Sequence, residues 1–320
     1  MPRAPAYHRA MSSDGDHGFR APDVLVLGGG GVLGIAWMAA LLAALDEAAG
    51  FDARECESFV GTSAGAVLCA SLASGRHPRD QLGALPAAAP SAEFSARGGP
   101  SPVARALRLG GALSGVVAAP LAATALQGSA WGGALMRAAV LGRISPGRRS
   151  LAELNTAIGA FEVPWDGRLG LTAVEVESGR RVIFDGSQRP EVPVATAVQA
   201  SCAIPGYFAP VPAGGRTYVD GGAWSPTNLD AAHVRRGTRV LCLNPTGSLG
   251  ANGELPIAIG PLSRTLAGLE ALALRSRGAH VTTVAPDAAS VAAIGPSLMD
   301  GRRRAEVVAA GVAQGRRLAA

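Results

Sequence analysis

The pattern of apolar positions predicts two strands that each lead through a glycine-rich turn into a helix. Residues 23–27 contain the continuous apolar run Val-Leu-Val-Leu, which is typical of a buried parallel strand, and four glycines follow it. Residues 35–49 are apolar on every helical face and stop before Gly50, a residue type common at helix C-termini. A second short strand, residues 57–60, enters Gly-Thr-Ser-Ala-Gly and another apolar helix.

The remaining chain continues to mix strands with helices. Four further segments have the apolar, β-branched composition of strands: 169–176, 181–184, 238–243 and 280–284. Three segments have helical periodicity: 193–201, 263–277 and 301–318. This order predicts an α/β fold with a mostly parallel central sheet flanked by helices.

The chain is expected to form a single domain over residues 22–320, because no repeat or long linker interrupts it. Residues 1–21 have no apolar period and predict a flexible N-terminal tail. No apolar stretch follows Arg3 and Arg9, so the tail lacks the plan of a secretory signal, which favours a cytoplasmic location. Residues 77–150 are rich in Pro, Gly, Ala and Ser and are expected to form a helical cap or lateral segment.

Composition narrows the classes of function. Hydrophobic residues make up 48% of the 320 residues and charged residues 17%, a composition typical of globular proteins. We find no run of about 20 strongly apolar residues, so the sequence does not predict a conventional membrane span. The nearest candidate, between Arg108 and Arg137, leaves an option for contact with a membrane surface.

Charge and cysteine content argue against two kinds of binding site. The net charge is +5 and every basic residue is Arg, but the arginines are scattered and aromatic residues are only 4%, so the sequence does not predict nucleic-acid binding. The four cysteines (Cys56, Cys69, Cys202 and Cys242) stand far apart without metal-ligand spacing. We therefore expect free thiols rather than a zinc site or a disulfide framework.

The second glycine turn has the pattern of a nucleophile elbow. In Gly-x-Ser-x-Gly, Ser63 would occupy a strained turn between strand and helix, with Gly61 and Gly65 leaving room for it. The helix N-terminus beside such a serine favours the negative charge that develops in acyl transfer. The alternative is a plain Gly/Ser turn without chemistry, because short motifs match by chance.

The first glycine turn fits two chemistries. Gly29, Gly31 and Gly34 satisfy the dinucleotide-binding pattern G-x-G-x-x-G, which also needs an acidic residue at the end of the second strand. No carboxylate stands there, which weakens that interpretation. In the second interpretation, the backbone N–H groups of Gly30 and Gly31 stabilise the oxygen of a tetrahedral intermediate.

A candidate base follows later in the chain. Asp220 is followed by two glycines after a short β segment, which is typical either of a tight turn or of a carboxylate that approaches a hydroxyl closely. With a reference pKa of about 3.9, an aspartate is a weak base unless burial raises its pKa. A Ser-His-Asp triad would need one of the five histidines. His233, expected at a helix start, and His280 fit the chain order only formally.

Together, four ordered motifs resemble those of the patatin-like phospholipase family over residues 23–232. They are the Gly-rich loop 29–34, the elbow 61–65, the lead-in 200–211 and the Asp-Gly-Gly at 220–222. One departure is Leu33, where the family usually has Lys or Arg. The resemblance implies a patatin-like fold and a Ser63–Asp220 dyad.

The resemblance also implies a function and a full set of site residues. It implies an oxyanion hole at Gly29, Gly30 and Gly31, with supporting glycines at Gly34, Gly61, Gly65, Gly221 and Gly222. The expected activity is hydrolysis of lipid esters, with no metal or organic cofactor and with peripheral membrane contact. The alternatives are a Ser-His-Asp esterase for soluble esters, or a catalytically silent module of the same fold that binds lipid or protein.

Overall fold

The computed structural model describes residues 19–83, 130–248 and 259–320, and the strands of these residues form one mixed sheet. The strands are β1 (Val24–Leu27), β2 (Ser58–Thr62), β3 (Leu169–Glu175), β4 (Arg181–Phe184), β5 (Val211–Ala213), β6 (Arg216–Asp220), β7 (Arg239–Leu243) and β8 (His280–Val284).

The sheet has the order β5-β6-β3-β2-β1-β7-β8, with β4 also paired to β3. Strands β3, β2, β1, β7 and β8 run parallel to one another. Strands β4 and β6 are antiparallel to β3, and β5 is antiparallel to β6. The prediction of a mostly parallel central sheet is therefore confirmed.

Helices cover both faces of this sheet. They are α1 (Gly31–Ala49), α2 (Ala64–Ala73), α3 (Asp80–Gly83), α4 (Ala130–Leu141), α5 (Ala152–Gly159), α6 (Val194–Ser201), α7 (Ile259–Ser276), α8 (Ala288–Ile294) and α9 (Arg304–Ala319). Short 3-10 turns lie at Ala53–Glu55, Gly221–Ala223, Leu229–Ala231 and Gly301–Arg303.

The alternation of side chains along β1 divides the core into two layers. Leu25 and Leu27 pack with the apolar side chains of α1 and α2 on one face. Val24 and Val26 pack on the other face against side chains of α7 such as Leu274. Because β1 is central and buried on both sides, its sequence has to be continuously apolar, as it is.

Helix α1 is apolar on all sides because it is enclosed. The sheet lies on one side of it, and α9 packs closely on another, where a Cβ added to Gly311 would stand 2.9 Å from the Ala40 Cβ. By length and hydropathy α1 could cross a membrane, but 72% of its apolar window is buried within the fold. We interpret it as a core helix. Most of the segment between Arg108 and Arg137 lies outside the described residues.

The predicted strands and helices are confirmed to within a few residues, and the main differences are omissions and one wrong assignment. Helices α5 and α8 and the three-residue strand β5 were not predicted. His233 follows a short 3-10 turn instead of starting a helix. Of the expected cap or lateral segment at 77–150, only the ends are described, and they include α3 and α4. Residues 84–129 and most of the expected tail lie outside the described residues.

Candidate active site

Ser63 occupies a strained turn between β2 and α2. Its backbone has φ 52° and ψ −116°, a conformation that non-glycine residues rarely adopt. A Cβ added to Gly61 would lie 2.6 Å from the Ala66 Cα, and one added to Gly65 would lie 1.8 Å from the Leu27 carbonyl oxygen. Both glycines are thus required by close packing, as the elbow pattern predicts.

The ends of β2 and β6 meet along one edge of β3. Thr62 pairs with Thr172 and Asp220 pairs with Ala173, while β4 occupies the opposite edge at both positions. Since β2 arrives parallel to β3 and β6 arrives antiparallel, the two strands approach from opposite directions. This arrangement brings Ser63, which follows Thr62, next to Asp220.

Asp220 is 5% exposed, and the Ser63 hydroxyl lies near enough to its carboxylate to lower its pKa. The Asp220 Oδ1 accepts the Gly222 N–H at 2.7 Å, so the predicted Asp-Gly-Gly segment forms a 3-10 turn with an aspartate cap. Burial raises the pKa of Asp220 to about 6, and the Gly222 N–H bond and the nearby Ser63 hydroxyl oppose that rise. At neutral pH most of the carboxylate is therefore ionised, yet it is far more basic than an exposed aspartate.

Gly221 allows the turn after Asp220 to lie against β3. A Cβ added to it would stand 2.4 Å from the Thr172 Oγ1 and 2.6 Å from the Thr172 carbonyl oxygen. At Gly222, an added Cβ would lie 3.0 Å from the Asp220 Oδ1. Gly221 therefore allows the turn to contact Thr172 of β3, and Gly222 allows its backbone to contact the Asp220 carboxylate.

Two further residues hold the elbow, and sequence reasoning missed both roles. The Ser201 Oγ accepts a hydrogen bond from the Ser63 N–H at 2.9 Å. The Cys202 thiol donates a hydrogen bond to the Ser63 carbonyl oxygen at 3.3 Å. Both residues stand at the C-terminal end of α6, within the lead-in motif. The signal available in sequence was their place in that motif, which carries no indication of which atom they contact.

The first glycine loop lies beside Ser63. A Cβ added to Gly29 would stand 3.5 Å from the Ser63 Cβ. The Gly29 N–H, however, donates to the Pro226 carbonyl oxygen at 2.8 Å, so Gly29 does not offer the free donor expected of it. Among the described atoms, the N–H groups of Gly30 and Gly31 have no acceptor.

Tight packing fixes this loop. A Cβ added to Gly30 would stand 2.5 Å from the Pro245 Cβ, and Gly31 has a φ of 57° with the Met299 sulfur only 2.7 Å from an added Cβ. At Gly34, an added Cβ would lie 3.2 Å from Pro245. The loop therefore holds its backbone in one conformation, as a preorganised donor site requires.

Leu33 takes the place of the usual basic residue in the loop. Its side chain is fully buried in the core, and its N–H donates to the Leu298 carbonyl oxygen at 2.9 Å. A charged side chain in this orientation would be costly to bury. The apolar replacement thus agrees with the local packing of this chain.

The candidate histidines lie at the opposite end of the strands. His233 lines a cavity of about 550 Å³ together with Val24 and Ser58, the first residues of β1 and β2. His280 is itself the first residue of β8. Ser63 follows the last residue of the five-residue β2, roughly 15 Å away along the strand direction. His77 pairs with Asp46 at 2.9 Å, and His8 and His17 lie outside the described residues.

The sequence matches the family model described as patatin-like phospholipase over residues 25–233, more than half of the chain. The chain belongs to the patatin-like phospholipase family. At the level of the family, this assigns it to the lipid acyl hydrolases. The matched region ends at His233, so β7, β8 and α7 to α9 lie beyond it.

Solved structures were also compared with this patatin-like chain. VipD from Legionella pneumophila is 16% identical with a TM-score of 0.42, over 94% of this chain and 67% of VipD. The type III effector protein ExoU is 15% identical with a TM-score of 0.35, over 93% of this chain and 54% of ExoU. No curated protein matches the sequence.

Proposed function

We propose that the protein is a serine acyl hydrolase that cleaves lipid esters, with Ser63 as nucleophile and Asp220 as general base. The observation that carries this proposal is the meeting of the ends of β2 and β6 on β3, which brings the buried Asp220 carboxylate beside the hydroxyl of Ser63 in its strained strand-to-helix turn. A pKa of about 6 leaves the carboxylate ionised at neutral pH while making it a stronger base than usual.

In the first half of the reaction, Asp220 takes the proton of Ser63 while the Oγ attacks the ester carbonyl carbon. The resulting oxyanion accepts hydrogen bonds from the N–H groups of Gly30 and Gly31. Gly29, which the resemblance also implied as a donor, is left out because its N–H is bonded to Pro226. Collapse of this intermediate breaks the bond to the leaving alcohol, which receives the proton from Asp220. The products are a free alcohol and an acylated Ser63.

In the second half, Asp220 takes a proton from water, and the hydroxide oxygen attacks the acyl carbon. The same backbone donors stabilise the second oxyanion. Release of the fatty acid returns the proton to the Ser63 Oγ. Every step uses a group of this chain, the substrate and water.

Two exposed side chains support contact with a lipid surface. On α4, Leu135 is 65% exposed and Met136 is 46% exposed. The neighbouring Arg137 donates its Nε–H to the Ala223 carbonyl oxygen at 3.2 Å, which places this helix beside the turn that follows Asp220. We include peripheral membrane contact in the proposal. The cytoplasmic location stays a prediction, to be tested by fractionation of cells.

A fluorophosphonate probe tests the proposal directly. It should label wild-type protein at Ser63, and Ser63→Ala should abolish both labelling and hydrolysis of phospholipid vesicles, lysophospholipid micelles and triacylglycerol emulsions. Asp220→Asn should abolish hydrolysis with the fold retained. The matched controls His233→Ala and His280→Ala should keep most activity. An unlabelled, inactive wild type would favour a silent binding module, and a large loss in one histidine variant would favour a triad.

A further inference from the structure

Asn228 is completely buried between the two halves of the proposed dyad. Its Nδ2 lies 3.1 Å from the Thr62 Oγ1, 3.2 Å from the Gly221 carbonyl oxygen and 2.7 Å from the Ser225 carbonyl oxygen. Thr62 directly precedes the nucleophile, and Gly221 directly follows the base. One amide group therefore contacts both strand ends that meet at β3.

The backbone of Asn228 is in the left-handed region, with φ 48° and ψ 35°. Asn tolerates this conformation better than most residues, but it still costs free energy unless the surroundings require it. Here the conformation turns the side chain toward Thr62 and Gly221. Its Oδ1 accepts a bond from Arg181 at 3.2 Å, which fixes which end of the amide donates.

Glu270 on α7 holds the residues on either side of Asn228. Its carboxylate is 4% exposed, and its Oε2 accepts the Thr227 hydroxyl at 2.6 Å and the Leu229 N–H at 2.9 Å. Burial, with a smaller contribution from the Asp230 charge, raises the pKa of Glu270 to about 7. Both protonation states keep an oxygen that can accept these two bonds.

We propose that Asn228 is a positioning residue that sets the distance between Ser63 and Asp220, and that Glu270 holds Asn228 in place. This proposal rests on the proposed function. Asn228 touches neither reacting atom, and it acts through Thr62 and Gly221. Glu270 lies beyond the region that the family model matches, so α7 is part of the site's support as well as a cover of the sheet.

The direct test uses two variants of Asn228. Asn228→Gly accepts the left-handed backbone without strain but removes the amide. Asn228→Asp keeps the shape but places a carboxylate against three acceptor oxygens. Because small displacements in an active site are costly, both should lower kcat by about 10²-fold with little change in KM.

The matched control is Asn155→Asp. Asn155 is a half-buried amide that joins α5 to α6 through Thr196 and Gln199. It should lower Tm without lowering kcat. An equal loss of kcat in this control would show general destabilisation and would overturn the proposal. Unchanged kcat in both Asn228 variants would overturn it as well.

A second pair of variants tests Glu270. Glu270→Gln keeps an acceptor for Thr227 and Leu229 and should retain kcat, whereas Glu270→Leu, of similar volume, should lower it. Wild-type kcat in both would show that Glu270 does not act on the site. Loss of kcat in both would show that the charge, and not the hydrogen bonding, matters, which contradicts the role given to Glu270.

Hydrogen exchange separates this proposal from the proposed function. In Asn228→Gly, amides near Thr62 and amides near Gly221 should both exchange faster, while those of α9 stay protected. This readout needs no enzyme activity. If the wild type hydrolysed no ester, the proposed function would fail while faster exchange at both sites still supported the link; faster exchange at only one site would refute the link.

Discussion

The carbonyl oxygen of Leu27 lies so close to Gly65 that an added Cβ would stand 1.8 Å from it. Leu27 ends β1, and Gly65 is the second residue of α2, two residues after Ser63, so this contact joins the two strand–turn–helix units. A backbone oxygen at the end of a central strand cannot move aside without breaking the sheet. The second glycine of the elbow is therefore set by a neighbouring strand.

Gly65→Ala should consequently prevent stable folding. Gly268→Ala is the matched control, since Gly268 also lies in a helix but has no atom within 4 Å of an added Cβ. It should gain about 0.5–1 kcal/mol of stability from better helix propensity. Soluble yield and urea denaturation measure both. A Gly65→Ala protein as stable as the wild type would contradict the packing described for β1 and α2.

Most of the predicted features have requirements that are local in the chain. Gly61 packs against Ala66 of its own turn, and the buried strands follow from runs such as residues 24–27. Gly65 is recognisable only as a member of the elbow pattern, because the contact that requires it comes from β1. Ser201 and Asn228 could not be found in this way, because they contact partners 138 and 166 residues away in the chain. The occupied N–H of Gly29 was hidden for the same reason, since its acceptor is Pro226.

The short elements escaped prediction for a different reason. Strand β5 has three residues, one of which is Pro212, and α8 has seven residues directly after a proline and an aspartate cap. Neither is long enough to show a period. Their positions depend on tertiary contacts, which the sequence pattern does not reveal.

The pH dependence of hydrolysis should report Asp220. The base must be ionised to accept the serine proton, so kcat/KM should rise with pH through about 6 and then level off. A histidine base would give a similar curve, and the discriminating measurement is the same profile in His233→Ala and His280→Ala. Both variants should keep the midpoint. A midpoint that disappears in either one would transfer the role of base to that histidine.

Asp220→Asn should stabilise the fold at high pH while it abolishes activity. The pKa of Asp220 is raised from 3.8 in the unfolded chain to about 6 in the folded protein. As the pH rises, the unfolded chain loses this proton first, so the free energy of unfolding of the wild type falls between pH 3.8 and about pH 6. Asparagine carries no charge and avoids this loss, which amounts to about 3 kcal/mol.

Urea denaturation at about pH 4 and about pH 8 measures the effect on either side of this range. The advantage of Asp220→Asn over the wild type should be larger at the higher pH. Ser63→Ala is the control: it keeps the carboxylate and removes a hydroxyl that lowers the pKa of Asp220, so its stability should fall at least as much as that of the wild type. An equal difference between Asp220→Asn and wild type at both pH values would show that burial of Asp220 does not raise its pKa.

Ser201→Ala should disturb the elbow without removing a reacting group. It leaves the buried N–H of Ser63 without its acceptor, which costs about 1–3 kcal/mol. We expect lower Tm and lower kcat, with KM retained. Cys202→Ser is the matched change at the next residue, and it keeps a donor for the Ser63 carbonyl oxygen. Wild-type kcat in Ser201→Ala would show that the Ser63 N–H needs no support.

The glycine loop gives the last prediction, because its first two members should respond differently to alanine. At Gly29 the added methyl meets only ordinary contacts, 3.5 Å from the Ser63 Cβ and 3.7 Å from the Pro226 oxygen. Gly29→Ala should fold normally and should raise KM most for bulky esters, because the methyl occupies space beside the nucleophile.

At Gly30 the added methyl would stand 2.5 Å from the Pro245 Cβ, so the loop itself must move. Gly30→Ala should displace the donors and lower kcat by about 10²–10³, the scale of one lost oxyanion donor. Kinetics with short and long p-nitrophenyl esters separate the two variants. Thermal shifts with NAD and FAD test the dinucleotide interpretation: stabilisation of the wild type by either, without Ser63-dependent hydrolysis, would overturn the oxyanion role of this loop.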